Sequence, residues 1–390
     1  MEESQKTFVS SLFCLKYKEI NSGGQRAIIF KTIFFLFATG LVSLCITPFI
    51  RKLAFTLGAV DKPNKRRVNK KAIPTIGGLG IFVAVNISMM LFLRYNFPTH
   101  TLFSVFIAQC VIIVTGIIDD IKELRPRQKL VGILIAALIV YYLAGIQMNS
   151  LTLPLIGRIR FGWLSMPITI FWILAITNAV NLIDGLDGLA TGVSFIALCT
   201  MGVIAYFFLN IQNPSIAISI FILAAALLGF LPYNFHPARM FLGDTGALYI
   251  GFMISVMSLQ GLKNVTFITL LIPVIILGVP VTDTFYAIVR RLLNKQPISQ
   301  ADKHHLHHQL LQMGFTVPQT VFAIYGIALI FSFISLMYPL SSLIANIFLT
   351  VFVLLGLELF IEAIGLLGEN RRPFLNLIRK FARRVNRNRH

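Results

Sequence analysis

The sequence predicts an all-α, polytopic membrane protein of about 10–11 transmembrane helices with polar loops gathered on one face. Three observations predict it. Of 390 residues, 56% are hydrophobic and 13% charged, with a mean hydropathy of +0.81, whereas soluble domains carry about 25% charged residues. Apolar runs recur at close to the roughly 20 residues a helix needs to cross about 30 Å of hydrocarbon, far beyond the length of barrel strands. Spanning runs of that length satisfy their backbone only as helices. Finally, between Arg51 and the last loop nearly every acidic residue falls in polar breaks that alternate to one side.

Eleven runs fit, in order 29–50, 76–94, 100–118, 130–147, 165–181, 188–209, 214–232, 245–260, 265–289, 319–338 and 342–366. The first follows a polar leader and ends at Arg51. The second opens on Gly77, Gly78 and Gly80, small residues that suit close helix packing. The third ends at Asp119-Asp120, and the fourth begins behind Lys129. Between 148 and 164, Pro154, Gly157 and Gly162 interrupt alternating apolar residues, which predicts a short hairpin on the opposite face. The fifth and sixth runs flank an Asn- and Asp-rich string, and the seventh and eighth flank residues 233–244. The ninth ends at Arg290-Arg291, and the last two close the domain. Residues 1–28 are a polar leader, 29–366 one integral domain, and 367–390 a basic tail.

The net charge of +19 invites a nucleic-acid reading, and its distribution argues against one. Loops 51–75, 119–129, 233–244 and 290–317, with the tail from Arg371, hold most of the 34 lysines and arginines. That is the positive-inside pattern: those loops are expected in the cytoplasm, with the N-terminus outside and the C-terminus inside. The tail is expected to lie on anionic lipid. No cleavable signal is expected, since the first apolar run is too long for one and lacks a small-residue cleavage site. Cys45, Cys110 and Cys199 fall inside runs and Cys14 in the leader, spacings that suit neither a disulfide framework nor zinc.

Several polar strings on the cytoplasmic side suggest a magnesium and phosphate site. Asp119 and Asp120 repel one another, which favours a nearby cation or a raised pKa on one of them, and on a helix end they point about 100° apart, toward different tasks. An acidic helix end balanced by Lys122, Arg125 and Arg127 is the plainer alternative. In Asn178-Ala-Val-Asn181-Leu-Ile-Asp184-Gly-Leu-Asp187, helical spacing pairs the two amides and the two carboxylates. Both are hard oxygen donors of the kind magnesium takes. Asn234, Arg239, Phe241 and Asp244 follow, with Asp244 between glycine and Thr245-Gly246 at the start of the next run. His304, His305, His307 and His308 favour phosphate contact over zinc, with no HExxH spacing and no cysteine nearby. Lys70 and Lys71 close a basic run able to neutralise a diphosphate, although lipid anchoring also explains such a run. Asp283, inside the ninth run, is expected to be paired within the bundle.

Taken together these strings resemble the polyprenyl-phosphate N-acetylhexosamine-1-phosphate transferases, glycosyltransferase family 4. The resemblance runs in order from about Leu53 to Gly314, through DKPN and PTIGG, the aspartate pair, NAVNLIDGLDGLA, NFHPARMFLGDTG and HHLHH. It implies Mg2+, with Mn2+ as a substitute, held by Asp244 and Asn181. It implies Asp119 and Asp120 as the catalytic pair, Lys129 on phosphate, Asn234, Phe241 and Asp187 at the uridine, and His305, His307 and His308 closing over the donor. Lys71 and Asp184 join the substrate-binding candidates. The HLHH string, followed by Gln309 where the phospho-MurNAc-pentapeptide branch carries an acidic residue, fits the GlcNAc-1-phosphate branch. Many relatives carry a histidine where this chain has Asn69, so no role falls to that position.

The resemblance thus implies transfer of GlcNAc-1-phosphate from UDP-GlcNAc to undecaprenyl phosphate at the cytoplasmic face of a bacterial plasma membrane. UMP is released, and the lipid product feeds a cell-envelope polymer such as teichoic acid or another polysaccharide. Partners are the two substrates and bilayer lipids, with no nucleic acid, and a homodimer is compatible with the sequence. Direct attack and a covalent phospho-aspartate route both stay open. Phospho-MurNAc-pentapeptide transfer is the nearest alternative. A transporter of an anionic solute is the more distant one, disfavoured because transport sites lie near the bilayer midplane.

Overall fold

The computed structural model describes residues 23–61, 72–92, 97–153, 157–208, 215–260, 265–293, 295 and 305–364. Lys71, Asn69, His304, most of the leader and the basic tail lie outside the described residues. The remainder is a helical bundle: α1 (Gly23–Leu57), α2 (Gly77–Phe92), α3 (Thr99–Lys122), α4 (Pro126–Tyr142), α5 (Ser165–Ile183), α6 (Leu189–Phe207), α7 (Ser215–Asn234), α8 (Gly243–Gln260), α9 (Phe267–Ile276), α10 (Gly278–Leu293), α11 (Leu306–Gln312), α12 (Val317–Met337) and α13 (Leu343–Ile364).

Every expected run is occupied by helix, and the protein is a multi-pass membrane protein. Among the described residues, seven helices are long and apolar enough to cross a bilayer by themselves. The run 265–289 differs from expectation, since it is two helices meeting at Leu277. Pro280 explains the break: it has no N–H to return to the Ile276 carbonyl. The chain bridges the gap through Leu277 N–H to Pro273 O at 3.0 Å and Val281 N–H to Leu277 O at 2.9 Å.

The organising element is α8, in which every residue from Thr245 to Leu259 is buried. A helix apolar all round belongs in the middle of a bundle, and α2, α3 and α5 pack around it. Glycine makes the approach possible. A Cβ on Gly78 or Gly116 would collide with the α8 backbone at Gly246 or Thr245, and one on Gly251 would lie 2.8 Å from the Thr177 Cα of α5. Small residues at such contacts let dispersion act where lipid gives no hydrophobic drive. Polar side chains inside the bundle bond across helices. Asn86 of α2 donates to Gln109 of α3 at 2.7 Å, and Tyr249 of α8 reaches the same Gln109 oxygen at 3.2 Å.

Outside this core, α1 lies on α2 and α7, and α12 lies on α6 and α9. The lipid-facing side of α1 exposes Phe30, Phe34 and Phe37, and α13 exposes Phe348 and Phe352. Cys45, Cys110 and Cys199 are free thiols. The expected hairpin is present: β3 (Ser150–Leu153) pairs antiparallel with β4 (Gly157–Arg160). An unforeseen third strand, β5 (Val265–Thr266), runs parallel to β3. At the opposite end β1 (Val60–Asp61) pairs with β2 (Ile73–Pro74), and β2 leads into the segment that supports the site.

Candidate functional site

Four helix ends meet at one end of the bundle: the C-termini of α3 and α5 and the N-termini of α4 and α8. A helix N-terminus leaves amides without intrahelical partners. For α8 those amides belong to Asp244 and Thr245, and Asp120 takes both. Its Oδ1 accepts the Asp244 N–H at 3.0 Å, while its Oδ2 accepts the Thr245 N–H at 3.0 Å and the Thr245 hydroxyl at 2.6 Å. A carboxylate there also meets the positive end of the helix dipole.

Asp119, the next residue, is turned to a different task. It is buried, its Oδ1 accepts the Leu124 N–H at 2.8 Å, and its other oxygen is ion-paired with Lys129. Lys129 Nζ also donates to Asp244 Oδ1 at 2.8 Å. Asn181, from the last turn of α5, donates to that same oxygen at 2.6 Å. The side chain of Asp244 is 34% exposed and that of Asp119 4%, so Asp244 is the carboxylate open to a ligand.

The loop from Phe235 to Leu242 is clamped from several directions. Phe241 N–H bonds to Pro74 O at 2.8 Å, and Gly77 and Gly78 return N–H bonds to Phe241 O and Leu242 O at 3.1 Å. The PTIGG segment therefore serves as a brace for the Asp244 turn. Gly243 has φ +70°, and a Cβ there would strike Thr75 O and crowd both Asp120 oxygens. Asp187 accepts from His236 Nδ1 at 2.9 Å and from the Ala238 N–H at 3.1 Å. Asn234 is buried, accepting from Thr191 at 2.7 Å and donating to Met240 O at 3.2 Å. Both residues, expected at the uridine, hold the loop in this structure, and half-buried Phe241 rides on it.

Asp184 ends α5 in a concentration of negative charge. Partial burial pushes its carboxyl well above the ordinary carboxylate range, and Asp244, Asp120 and Asp187 add to the push. Lys129 shows the complementary effect: desolvation works against its charge, but Asp244 and Asp119 outweigh it and hold the ammonium above its usual range. Five aspartates around one described ammonium form a site short of positive charge.

His307 lies over Gly185, where a Cβ would collide with its Nε2. Its ring is buried, 4.2 Å from that of His308 and 6.0 Å from and parallel to that of His305. Burial first, then His308, lowers the His307 pKa to about 4. His305 Nδ1 bonds to Asp283 Oδ2 at 2.9 Å, so Asp283 is paired, though with the residue that precedes α11 and not with a bundle helix as expected. Tyr325 of α12 donates to Gly188 O at 2.5 Å behind this turn. The Tyr325 contact and the Asp283–His305 pairing carry no local sequence signal, because each joins segments remote in the chain. Thr245 was legible in principle, as a hydroxyl residue in the first turn of a helix.

The donor set suits a hard divalent cation. Asp244, Asn181 and Asp184 offer oxygen donors, and the negative charge in excess calls for a counterion. Among the described residues, no three His, Cys, Asp or Glu side chains form a complete metal cage.

Comparison with known proteins follows the same line. The family model described as glycosyl transferase family 4 matches residues 102–262. A probable undecaprenyl-phosphate N-acetylglucosaminyl 1-phosphate transferase of Bacillus subtilis is 40% identical, over 88% of this chain and 95% of its own length. A decaprenyl-phosphate N-acetylglucosaminephosphotransferase of Mycolicibacterium smegmatis is 34% identical, over 73% of this chain and 78% of its own. A phospho-N-acetylmuramoyl-pentapeptide-transferase of a Thermoanaerobacter species is 32% identical, over 75% and 92% respectively.

Proposed function

The chain belongs to the polyprenyl-phosphate N-acetylhexosamine-1-phosphate transferases of glycosyl transferase family 4, and on that premise we propose that it transfers GlcNAc-1-phosphate from UDP-GlcNAc to undecaprenyl phosphate. The setting is a bacterial plasma membrane with the site facing the cytoplasm, the side on which the basic loops collect. The observation that carries the reading is Lys129, an ammonium held between Asp119 and Asp244 beside the Asn181 amide, where four helix ends meet. The choice of donor is supported by the name of the 40%-identical Bacillus relative and by Gln309 after the HLHH string.

Asp244 and Asn181 would hold magnesium, or manganese in its place, and the ion would supply charge withdrawal from the donor diphosphate. The protein residues do the positioning. Asp120 fixes the first turn of α8, and with it the direction of the Asp244 carboxylate. Asp119 orients Lys129, whose Nζ meets the phosphate oxygens as charge develops on them. Asp187 and Asn234 shape the loop on which the Phe241 ring is presented to uracil. His307 is neutral at cytoplasmic pH, so it serves as a hydrogen-bonding group over the donor.

An oxygen of the lipid phosphate attacks the sugar-bearing phosphorus of UDP-GlcNAc. The new P–O bond joins the two phosphates, the P–O bond to UMP breaks, and UMP leaves with the bridging oxygen. The acceptor needs little deprotonation, because a phosphomonoester has a second pKa of about 6. Direct attack is favoured over a phospho-aspartate, since Asp119 is buried on Lys129 and Asp120 is spent on three donors.

Purified protein with undecaprenyl phosphate and magnesium, given UDP-GlcNAc or UDP-MurNAc-pentapeptide separately, tests the reading. UMP and a labelled lipid from UDP-GlcNAc alone are expected. Turnover with the pentapeptide donor alone would move the protein to the peptidoglycan branch, and turnover with neither would refute transfer.

A further inference from the structure

Asp283 stands outside the aspartate site, on α10, one turn beyond Pro280, and is buried. A carboxylate at that depth is costly unless it is fully paired. Its two oxygens are divided between successive residues of one loop: Oδ2 binds His305 Nδ1 at 2.9 Å, and Oδ1 accepts the Leu306 N–H at 3.0 Å. Leu306 opens α11, a helix of seven residues. So short a helix has little stability of its own, and His305, at its N-cap position, makes no side-chain capping bond. Asp283 supplies that cap from another helix.

The consequence reaches the donor side of the site. His305 and His307 have parallel rings, His307 leans on Gly185, and Gly185 lies between Asp184 and Asp187. His307 Nδ1 has no hydrogen-bond partner among the described residues. The histidines therefore stand where they do because the start of α11 is tied to α10. The Asp283 tie also decides the His305 tautomer: a neutral ring donates from Nδ1 to the carboxylate and keeps its lone pair on Nε2.

We infer that Asp283 is a positioning residue for the transfer reaction: through His305 and the Leu306 amide it holds His307 and His308 over the Gly185 turn, where the nucleotide-sugar is expected. The inference rests on the transferase reading, and its test keeps the two separable. Asp283→Asn, His305→Gln and the double variant are compared with wild type by steady-state kinetics. Each is also compared by hydrogen exchange across Leu306–Gln312.

Each single variant is expected to raise KM for UDP-GlcNAc by about tenfold or more, leave KM for undecaprenyl phosphate unchanged, and speed amide exchange in α11. The double variant should add little to either single, because both remove one connection. His305→Gln carries the same expectation if Asp283→Asn does not fold. Unchanged exchange in α11, an equal rise in KM for both substrates, or multiplicative effects in the double variant would overturn the inference. A wild type that turns over no donor would refute the transferase reading instead, and the exchange measurement would still decide whether Asp283 orders the loop.

Discussion

Asp120 of α3 caps the helix that carries Asp244 in its first turn: one carboxylate receives the Asp244 amide at 3.0 Å and both the amide and hydroxyl of Thr245. Two acidic residues 124 positions apart are thereby joined as a scaffold and a presented ligand group. Asp119 shares none of those bonds and faces Lys129.

The division of labour predicts different signatures for neighbouring substitutions. Asp120→Ala leaves two amides uncapped, which is expected to destabilise the protein by about 1 kcal/mol. It is also expected to lower kcat at least about a hundredfold by releasing Asp244. Asp120→Asn keeps one acceptor and should recover most of the stability with only part of the activity. Melting temperature and UMP release, measured on the same preparations, separate the two effects. Equal melting temperatures for Asp120→Ala and wild type would contradict the capping role.

A second expectation concerns protons. The Asp184 carboxyl is held above its ordinary range by burial and then by Asp244, Asp120 and Asp187. The native state therefore binds more protons than the unfolded chain as pH rises through and above about 3.9, and over that window the linkage costs stability. A divalent cation reverses the balance. Magnesium binding should release part of that proton over the pH range in which Asp184 holds it, visible by calorimetry in buffers of different ionisation enthalpy. In Asp184→Asn the release should vanish, and in Asp244→Ala magnesium binding itself should be lost along with activity. Buffer-independent heats for wild type would sink the assignment.

Much of the architecture was legible because hydrocarbon thickness and the positive-inside rule act directly on composition. The eleven runs and the 150–160 hairpin could be read from local pattern. The break at Leu277 could not, because Pro273 and Pro280 sit in an otherwise continuous apolar run. At the site, Asp119, Lys129, Asn181 and Asp244 could be picked out, and the structure brings them within bonding distance. What sequence spacing could not distribute was the work among them. That depends on which oxygen faces an amide, and side-chain direction across 124 residues is a tertiary property. The same limit hid the loop-holding bonds of Asp187 and Asn234 and the coupling of Asp283 to His305.

The buried His307 ring gives a pH prediction of defined sign. Its pKa is lowered to about 4 by burial and by His308, against about 6.5 when unfolded. Below pH 6.5 the unfolded chain takes up a proton that the native state refuses until about pH 4. The contribution to stability is thus complete above 6.5 and is lost as pH falls through that window, by at most about 3 kcal/mol. Thermal unfolding in detergent should show this fall, and His307→Gln should flatten it. A His307→Gln profile that still falls as steeply as wild type would assign the loss to other groups.

The last prediction uses the smallest side chain at the site. Gly185 lies beneath His307, and a Cβ there would meet the imidazole at Nε2 and Cε1. Gly185→Ala adds one methyl group on the exposed turn between Asp184 and Leu186, so its direct cost to folding is small. The group that must give way is the buried His307 ring, which is 3% exposed and has little room to move. The histidine loop is then expected to lift from the turn while the Asp119, Lys129, Asn181 and Asp244 cluster stays intact. Magnesium binding should be unchanged and KM for UDP-GlcNAc should rise about tenfold. Combining Gly185→Ala with His307→Ala should remove the collision, bringing the double variant to the level of His307→Ala alone. If the double variant is worse than either single by the product of their effects, the methyl group acts on something other than His307.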